Sequence, residues 1–329
     1  MSDGARRAHI DWRRDAALSS VLLVLVLLPL APFSDDHILG ILVRAFLFIA
    51  LGQTWNLIAG FGGQLSLGHG IFFGFGAYTT AFVFNLLGIS PWIGAWAGVA
   101  LSVAVAAILA AVTMRLRGVY FALATVVASL AFERLARYYV DVTGGDSGLA
   151  VRFVGDSGWA AQSRHPLPFF WAGLTLVVAL YIFSRLLGRT RFGMRLRAVR
   201  DDEEAARSAG VDPFMTKTLG LMLSGGLTAL VGAVYVQAYL AIDPATAFGL
   251  FQAIQIQLPA LIGGLGTPGG PVIGGFVMII ISELSNSAST RFDIQGLDIL
   301  VYGLVLLGIV RWAPNGLLGR ALRAAGRKA

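Results

Sequence analysis

Long apolar runs separated by short polar breaks dominate the chain, and their lengths predict helices. After a start carrying Arg6, Arg7, Arg13 and Arg14, apolar stretches cover 17–33, 38–60, 65–87, 91–114, 118–139 and 166–187, then 218–242, 249–266, 272–284 and 294–310. Most approach the ~20 residues that a helix needs to cross the ~30 Å hydrocarbon core of a bilayer. The run 17–33 has the apolar character of a signal peptide, but its end, Pro29-Leu-Ala-Pro32, offers no small-x-small cleavage site and reads as a retained first helix. Two breaks are long: 141–165, with Thr143-Gly-Gly-Asp-Ser-Gly148 and Trp159, and 188–217, the most hydrophilic segment. The pattern predicts an all-α, polytopic membrane protein of about ten transmembrane helices.

Composition agrees. Charged residues are 13% and hydrophobic residues 57% of the chain, with a mean hydropathy of +0.75, against about 25% and 45–50% in soluble domains. The net charge of +7 could suggest nucleic acid, but the distribution of charge argues against it. With ten crossings and both termini cytoplasmic, 19 of the 25 Lys and Arg residues fall on the inner side, as the positive-inside rule requires. Asp35, Asp36, Asp141, Asp146, Asp156, Asp243 and Asp293 collect on the other. The expected layout is a cytoplasmic segment 1–16, a transmembrane domain 17–312 with a cytoplasmic loop 188–217 and an extracytoplasmic loop 141–165, and a basic tail 313–329. With no cysteine in the chain, disulfides and thiolate sites are excluded.

The stretch Gly52–Tyr78 interrupts the apolar pattern. Gln53, Asn56, Gln64, Ser66 and His69 occur there among eight glycines. An unpaired polar group in hydrocarbon costs several kcal/mol, so these side chains must face a protein interior or a wet cavity. They are candidates for a translocation pathway; the competing reading is close helix packing, with Gly70-x-x-x-Gly74 as a contact face. Gln252 and Gln255, at i,i+3 in the short eighth run, join the candidates, whereas Gln257 leaves that face. Without an acidic partner near it in sequence, His69 reads as a hydrogen-bonded packing residue rather than a titrating gate. Arg44 and Glu283 lie near enough to span ends to extend toward water.

No enzyme is legible. Phosphate-cradling Gly-Lys-Ser/Thr is impossible, since the only lysines are Lys217 and Lys328. Gln64-Leu-Ser-Leu-Gly68 lacks the first glycine of a nucleophile elbow. No metal set or cofactor motif is present. In the loop 188–217, Asp201 or Asp202 can cap a short helix with acids in its first turn, Glu203 and Arg207 at i,i+4 and Gly210 as its stop. Two turns are marginal alone, so this helix should pack against something.

Several segments together resemble the LivM-type permeases of ABC importers for branched-chain amino acids. They are Gly52–Tyr78, Arg117-Gly-Val-Tyr-Phe-Ala-Leu-Ala-Thr125, Thr143–Leu149, Arg200–Asp212, Gly263–Gly274 and Ala313-Pro-Asn-Gly-Leu-Leu-Gly319. The resemblance implies that Asp202, Glu203, Glu204, Ala205, Ala206, Arg207 and Gly210 belong to a coupling segment that docks on a cytosolic ATPase. It also implies a second, LivH-type permease, two ATP-binding subunits, a periplasmic solute-binding protein, surrounding membrane lipid and a bacterial inner-membrane location. Urea and short amides are alternative substrates within the same family. The rival of another class is a stand-alone channel or carrier for a small neutral solute; it would need no docking helix, and a carrier would be expected to show paired intramembrane acids.

Overall fold

The computed structural model describes residues 35–116 and 118–292, with a few isolated positions between 300 and 317. The segments expected at 1–16, 17–33 and 313–329, and most of the tenth span at 294–310, lie outside the described residues. Helix α1 (Asp36–Asn56) continues into a π-turn (Leu57–Phe61), α2 covers His69–Leu87, α3 Pro91–Thr113 and α4 Val119–Tyr138. A short α5 (Val140–Thr143) precedes a two-residue strand β1 (Leu149–Ala150) and α6 (Leu167–Leu187). Then come α7 (Arg191–Asp201), α8 (Glu203–Ser208), α9 (Pro213–Tyr239), β2 (Ala241–Ile242), α10 (Pro244–Phe248), α11 (Leu250–Gly263) and α12 (Gly270–Phe292).

Seven of these helices are long and apolar enough to cross a membrane, the first including the π-turn. A shorter apolar helix, α11, has 14 residues, or ~21 Å of rise, and still runs from one end of the bundle to near the other. It follows β2 and α10 at the first end and leads into the turn 264–269, which packs on Asn56 and Gly60 at the far end of α1. Irregular backbone at that depth is tolerable only inside protein, and the Asn56 side-chain amide of α1 supplies partners for Gly266 N and the Thr267 carbonyl. Three boundaries differ clearly from the apolar runs. Helix α9 begins at Pro213 rather than at 218. Helix α2 begins at His69 rather than at 65, because 62–68 is an ordered loop; α12 runs eight residues past 284, because polar residues on its outer face do not stop a helix.

The two ends are distinguishable. Leu149 and Ala150 pair antiparallel with Ile242 and Ala241, and Asn85 donates to the Ala150 carbonyl, so 141–165 is folded onto the helix ends rather than free. At the other end lie 57–68 and the helical hairpin α7–α8.

Helix α1 is the centre, buried along most of its length between α6, α9, α11 and α12. Trp55, Phe46 and Ile49 are fully enclosed. Beside it α2, α3 and α9 pack through small residues: a Cβ added at Gly76 would lie 2.0 Å from the Ala229 carbonyl oxygen, and one at Gly98 3.0 Å from the Gly76 Cα. Such contact lets backbones approach closely where hydrocarbon gives no hydrophobic drive between helices. The expected face Gly70-x-x-x-Gly74 does this too, against the Ala247 carbonyl and the Phe248 ring.

Candidate functional site

Every polar residue singled out between 53 and 69 is buried, but they divide into two groups. One group is fully engaged by the fold. The Trp55 indole donates to the Ser66 carbonyl at 2.7 Å, fixing the loop 62–68 beneath α1. His69 bonds Ser66 Oγ through Nδ1 at 3.0 Å and Ser224 Oγ through Nε2 at 2.8 Å. Since the Ser224 hydroxyl donates to the Thr54 carbonyl, its remaining capacity at His69 is as acceptor, which places the imidazole proton on Nε2. Thr228 completes the string by bonding Thr54 Oγ1. His69 thus joins α1, α2 and α9 as a packing residue.

Asn56 is engaged on both sides of its amide, accepting from Gly266 N at 2.8 Å and donating to the Thr267 carbonyl at 3.0 Å. Gly60, in the π-turn, lies so close that an added Cβ would meet Gly266 N at 2.5 Å. A π-turn widens the helix by one residue and is common at functional sites; here it presents Asn56 and the Gly60 carbonyl to different neighbours.

The second group keeps unused hydrogen-bonding capacity. Among the described residues, both amide atoms of Gln53 and Oε1 of Gln64 are buried without a partner. Gln252 and Gln255 are buried on α11, while Gln257 donates to the Ala253 carbonyl along its own helix. Gln237 on α9, overlooked in the sequence, also has both amide atoms unpartnered. An interior polar group without a partner usually costs 1–3 kcal/mol, so Gln53, Gln64 and Gln237 are the amides for which the described residues of one chain supply no full set of partners.

Across the far end, α7 and α8 form a hairpin with more structure than its sequence suggests. The basic stem is itself a helix, capped by Thr190 on Gly193 N. Asp202 is the cap of α8, accepting from Glu204 N and Ala205 N, and those two N–H groups hold its carboxyl below the ordinary carboxylate range. Gly210, at φ +81°, ends it with Val211 N bonded to the Ala206 carbonyl. The i,i+4 pairing expected between Glu203 and Arg207 is replaced: Glu203 pairs with Lys217 of α9, because Lys217 is enclosed in the first turns of α9 and needs a counter-charge there. Residues 213–217 are accordingly helix, not loop. Ala206 is buried within the chain, whereas Glu204, Ala205, Arg207 and Ala209 are exposed.

Arg200 connects the hairpin to the membrane body. Its Nη1 donates to the Gly60 carbonyl at 2.9 Å while Nε and Nη2 engage Asp201, and Gly63, at φ +69°, leaves room for its methylenes. Arg197 stacks over Phe61. A polar cleft of about 300 Å³ opens between Gln64 and the start of α8. Among the described residues no cluster of His, Asp and Glu could hold a metal ion.

Helices crossing a bilayer around a buried polar interior, with a structured hairpin at one end, define a multi-pass membrane transport protein. The family described as the permease component of branched-chain amino acid transport systems matches residues 37–310, and the chain belongs to that family. It is similar to the high-affinity branched-chain amino acid transport permease LivM of Salmonella typhimurium, 25% identical over 305 residues that cover 84% of this chain and 69% of that one. The LivH permease of the same organism is 23% identical, over 87% of this chain and 98% of its own. The L-arabinose transport permease AraH of Escherichia coli is 30% identical over 85% and 82%. No solved structure matches the chain at a significant level. The chain is a multi-pass permease of the bacterial inner membrane.

Proposed function

We propose that this permease translocates branched-chain or related hydrophobic amino acids as one membrane subunit of an ABC importer, paired with a second, LivH-type permease. Two cytosolic ATP-binding subunits hydrolyse the ATP, and a periplasmic binding protein delivers the solute. Both termini, the segment 188–217 that contains the α7–α8 hairpin, and the tail 313–329 lie in the cytoplasm; 141–165 faces outward. The observation that carries the reading is the α7–α8 hairpin. It is fixed to α9 through Glu203–Lys217 and to α1 through Arg200 and the Gly60 carbonyl, while Glu204, Ala205, Arg207 and Ala209 remain exposed for a partner. A stand-alone channel has no use for such a fixture.

Gln53, Gln64, Gln252 and Gln255 border the pathway in this reading; Asn56, Ser66 and His69 shape it from behind. The docking is tested by replacing exposed residues of α8 in the complete complex. Ala205→Glu and Arg207→Glu are expected to insert normally but to abolish the stimulation of ATP hydrolysis by loaded binding protein. Normal stimulation in both variants would remove α8 from the docking surface.

A further inference from the structure

Arg44 and Glu283 read separately as residues that extend toward water from near a helix end. The structure pairs them instead: Arg44 Nη1 lies 3.6 Å from Glu283 Oε1, joining α1 to α12. They are also the deepest charges in the described spans, eight and nine residues from their nearer helix ends, or ~12 Å; every other Asp, Glu, Lys or Arg in those spans lies within five residues of an end.

The pair is not enclosed. About a third of each side chain is exposed, 35% and 31%, and an exposed charge at that depth is costly against lipid, so it belongs against a wet or protein-lined space. Among the described residues the contact is a single one, which leaves other guanidinium N–H groups and the second carboxylate oxygen for a bidentate partner. Tyr235 and Tyr239, rings 4.6 Å apart, lie within electrostatic reach of Arg44. Gly40, on the same face of α1 one turn before Arg44, lines with Tyr239 a cleft of about 270 Å³ at the β1–β2 end.

Resting on the importer reading, we propose that Arg44 and Glu283 form an exchangeable ion pair that takes the carboxylate and the ammonium of a zwitterionic amino acid as it passes from this cleft. A zwitterion carries opposite charges a few bonds apart, so it can replace the ion pair's own partners one for one without leaving a charge uncompensated. A neutral sugar or urea offers no such exchange. Such an exchange would favour a zwitterionic amino acid over a neutral sugar, the two kinds of solute named for the relatives.

Gly40 supplies the probe, since nothing lies within 4 Å of an added Cβ and the chain has no cysteine. In nanodiscs holding the complete complex, leucine should slow labelling of Gly40→Cys by a small charged methanethiosulfonate. Leucinamide, which lacks the carboxylate, and 4-methylpentanoate, which lacks the ammonium, should not. Adding Arg44→Gln or Glu283→Gln should abolish the protection and lower leucine uptake by about tenfold, ~1.4 kcal/mol. The double variant Arg44→Gln/Glu283→Gln should remain defective, because the substrate's partners are still missing. Recovery of uptake in that double variant, or undiminished protection in the single ones, would reduce the pair to a structural bridge and overturn the proposal. Absence of ATP-driven leucine uptake in the unmodified complex would instead refute the importer reading itself.

Discussion

The ion pair between Glu203 and Lys217 should respond unequally to loss of either member. Lys217 has only 2% of its side chain exposed, against 22% for Glu203. Neutralising Glu203 leaves an ammonium enclosed by α9 and the hairpin; an uncompensated buried charge costs 3–5 kcal/mol, and the partial exposure of its partner puts Glu203→Gln near the low end, about 3 kcal/mol. Neutralising Lys217 leaves a carboxylate already partly in water, and a methionine fills the space of the methylenes, so Lys217→Met should cost about 1 kcal/mol. The ~2 kcal/mol difference is a factor of ~30 in the population of the detached hairpin. Tryptic cleavage after Arg207, a site all variants retain, reads that population when opening is fast relative to cleavage. Glu203→Gln should be cleaved about 30-fold faster than Lys217→Met, and the double variant should return toward the single Lys217→Met rate. Equal rates, or faster cleavage of Lys217→Met, would refute the burial asymmetry.

Removing the Asn56 amide in Asn56→Ala deprives Gly266 N and the Thr267 carbonyl of their partners and should lower stability by about 2 kcal/mol, seen as a depressed unfolding temperature in nanodiscs; Gly60→Ala, whose Cβ would meet Gly266 N at 2.5 Å, should lower it comparably by overpacking. Asp202 binds its proton less readily in the folded hairpin than in the unfolded chain. Its capping contribution is therefore complete above the ordinary value of 3.8 and fades as pH falls through the lowered one. Proteolysis of α8 should rise over that acid window, and Asp202→Ala should raise it at neutral pH and flatten the dependence. Ala206→Glu forces a carboxylate into a position only 4% exposed and should unfold the hairpin itself, so its tryptic cleavage should exceed that of Ala205→Glu.

Helix existence was legible because hydrocarbon imposes one rule on all residues of a span: long apolar runs with satisfied backbones. The membrane class and the family followed from that rule and from the motifs. Boundaries were less legible where polar groups are satisfied by tertiary partners. Residues 213–217 look like loop until Glu203 is seen beside Lys217, and 65–68 look like the start of the third apolar run until the Trp55 bond to Ser66 is visible. Asn56 and Gln53, three residues apart, carry similar amides and read alike in sequence. Only their surroundings separate a clamp on 266–267 from a group with no partner. Arg44 and Glu283 are 239 positions apart, so no local pattern could join them. For Ala206 and Ala205, neighbours of one residue type, a single step around a six-residue helix decides which faces the chain and which faces outward.

The most direct test of the account is radiolabelled leucine uptake into vesicles containing this chain, a LivH-type partner, the two ATP-binding subunits and the binding protein. Uptake that requires ATP and is displaced by isoleucine and valine but not by L-arabinose is the predicted result. Leucine flux that proceeds without ATP or without the partner subunits, or uptake of L-arabinose in its place, would contradict it.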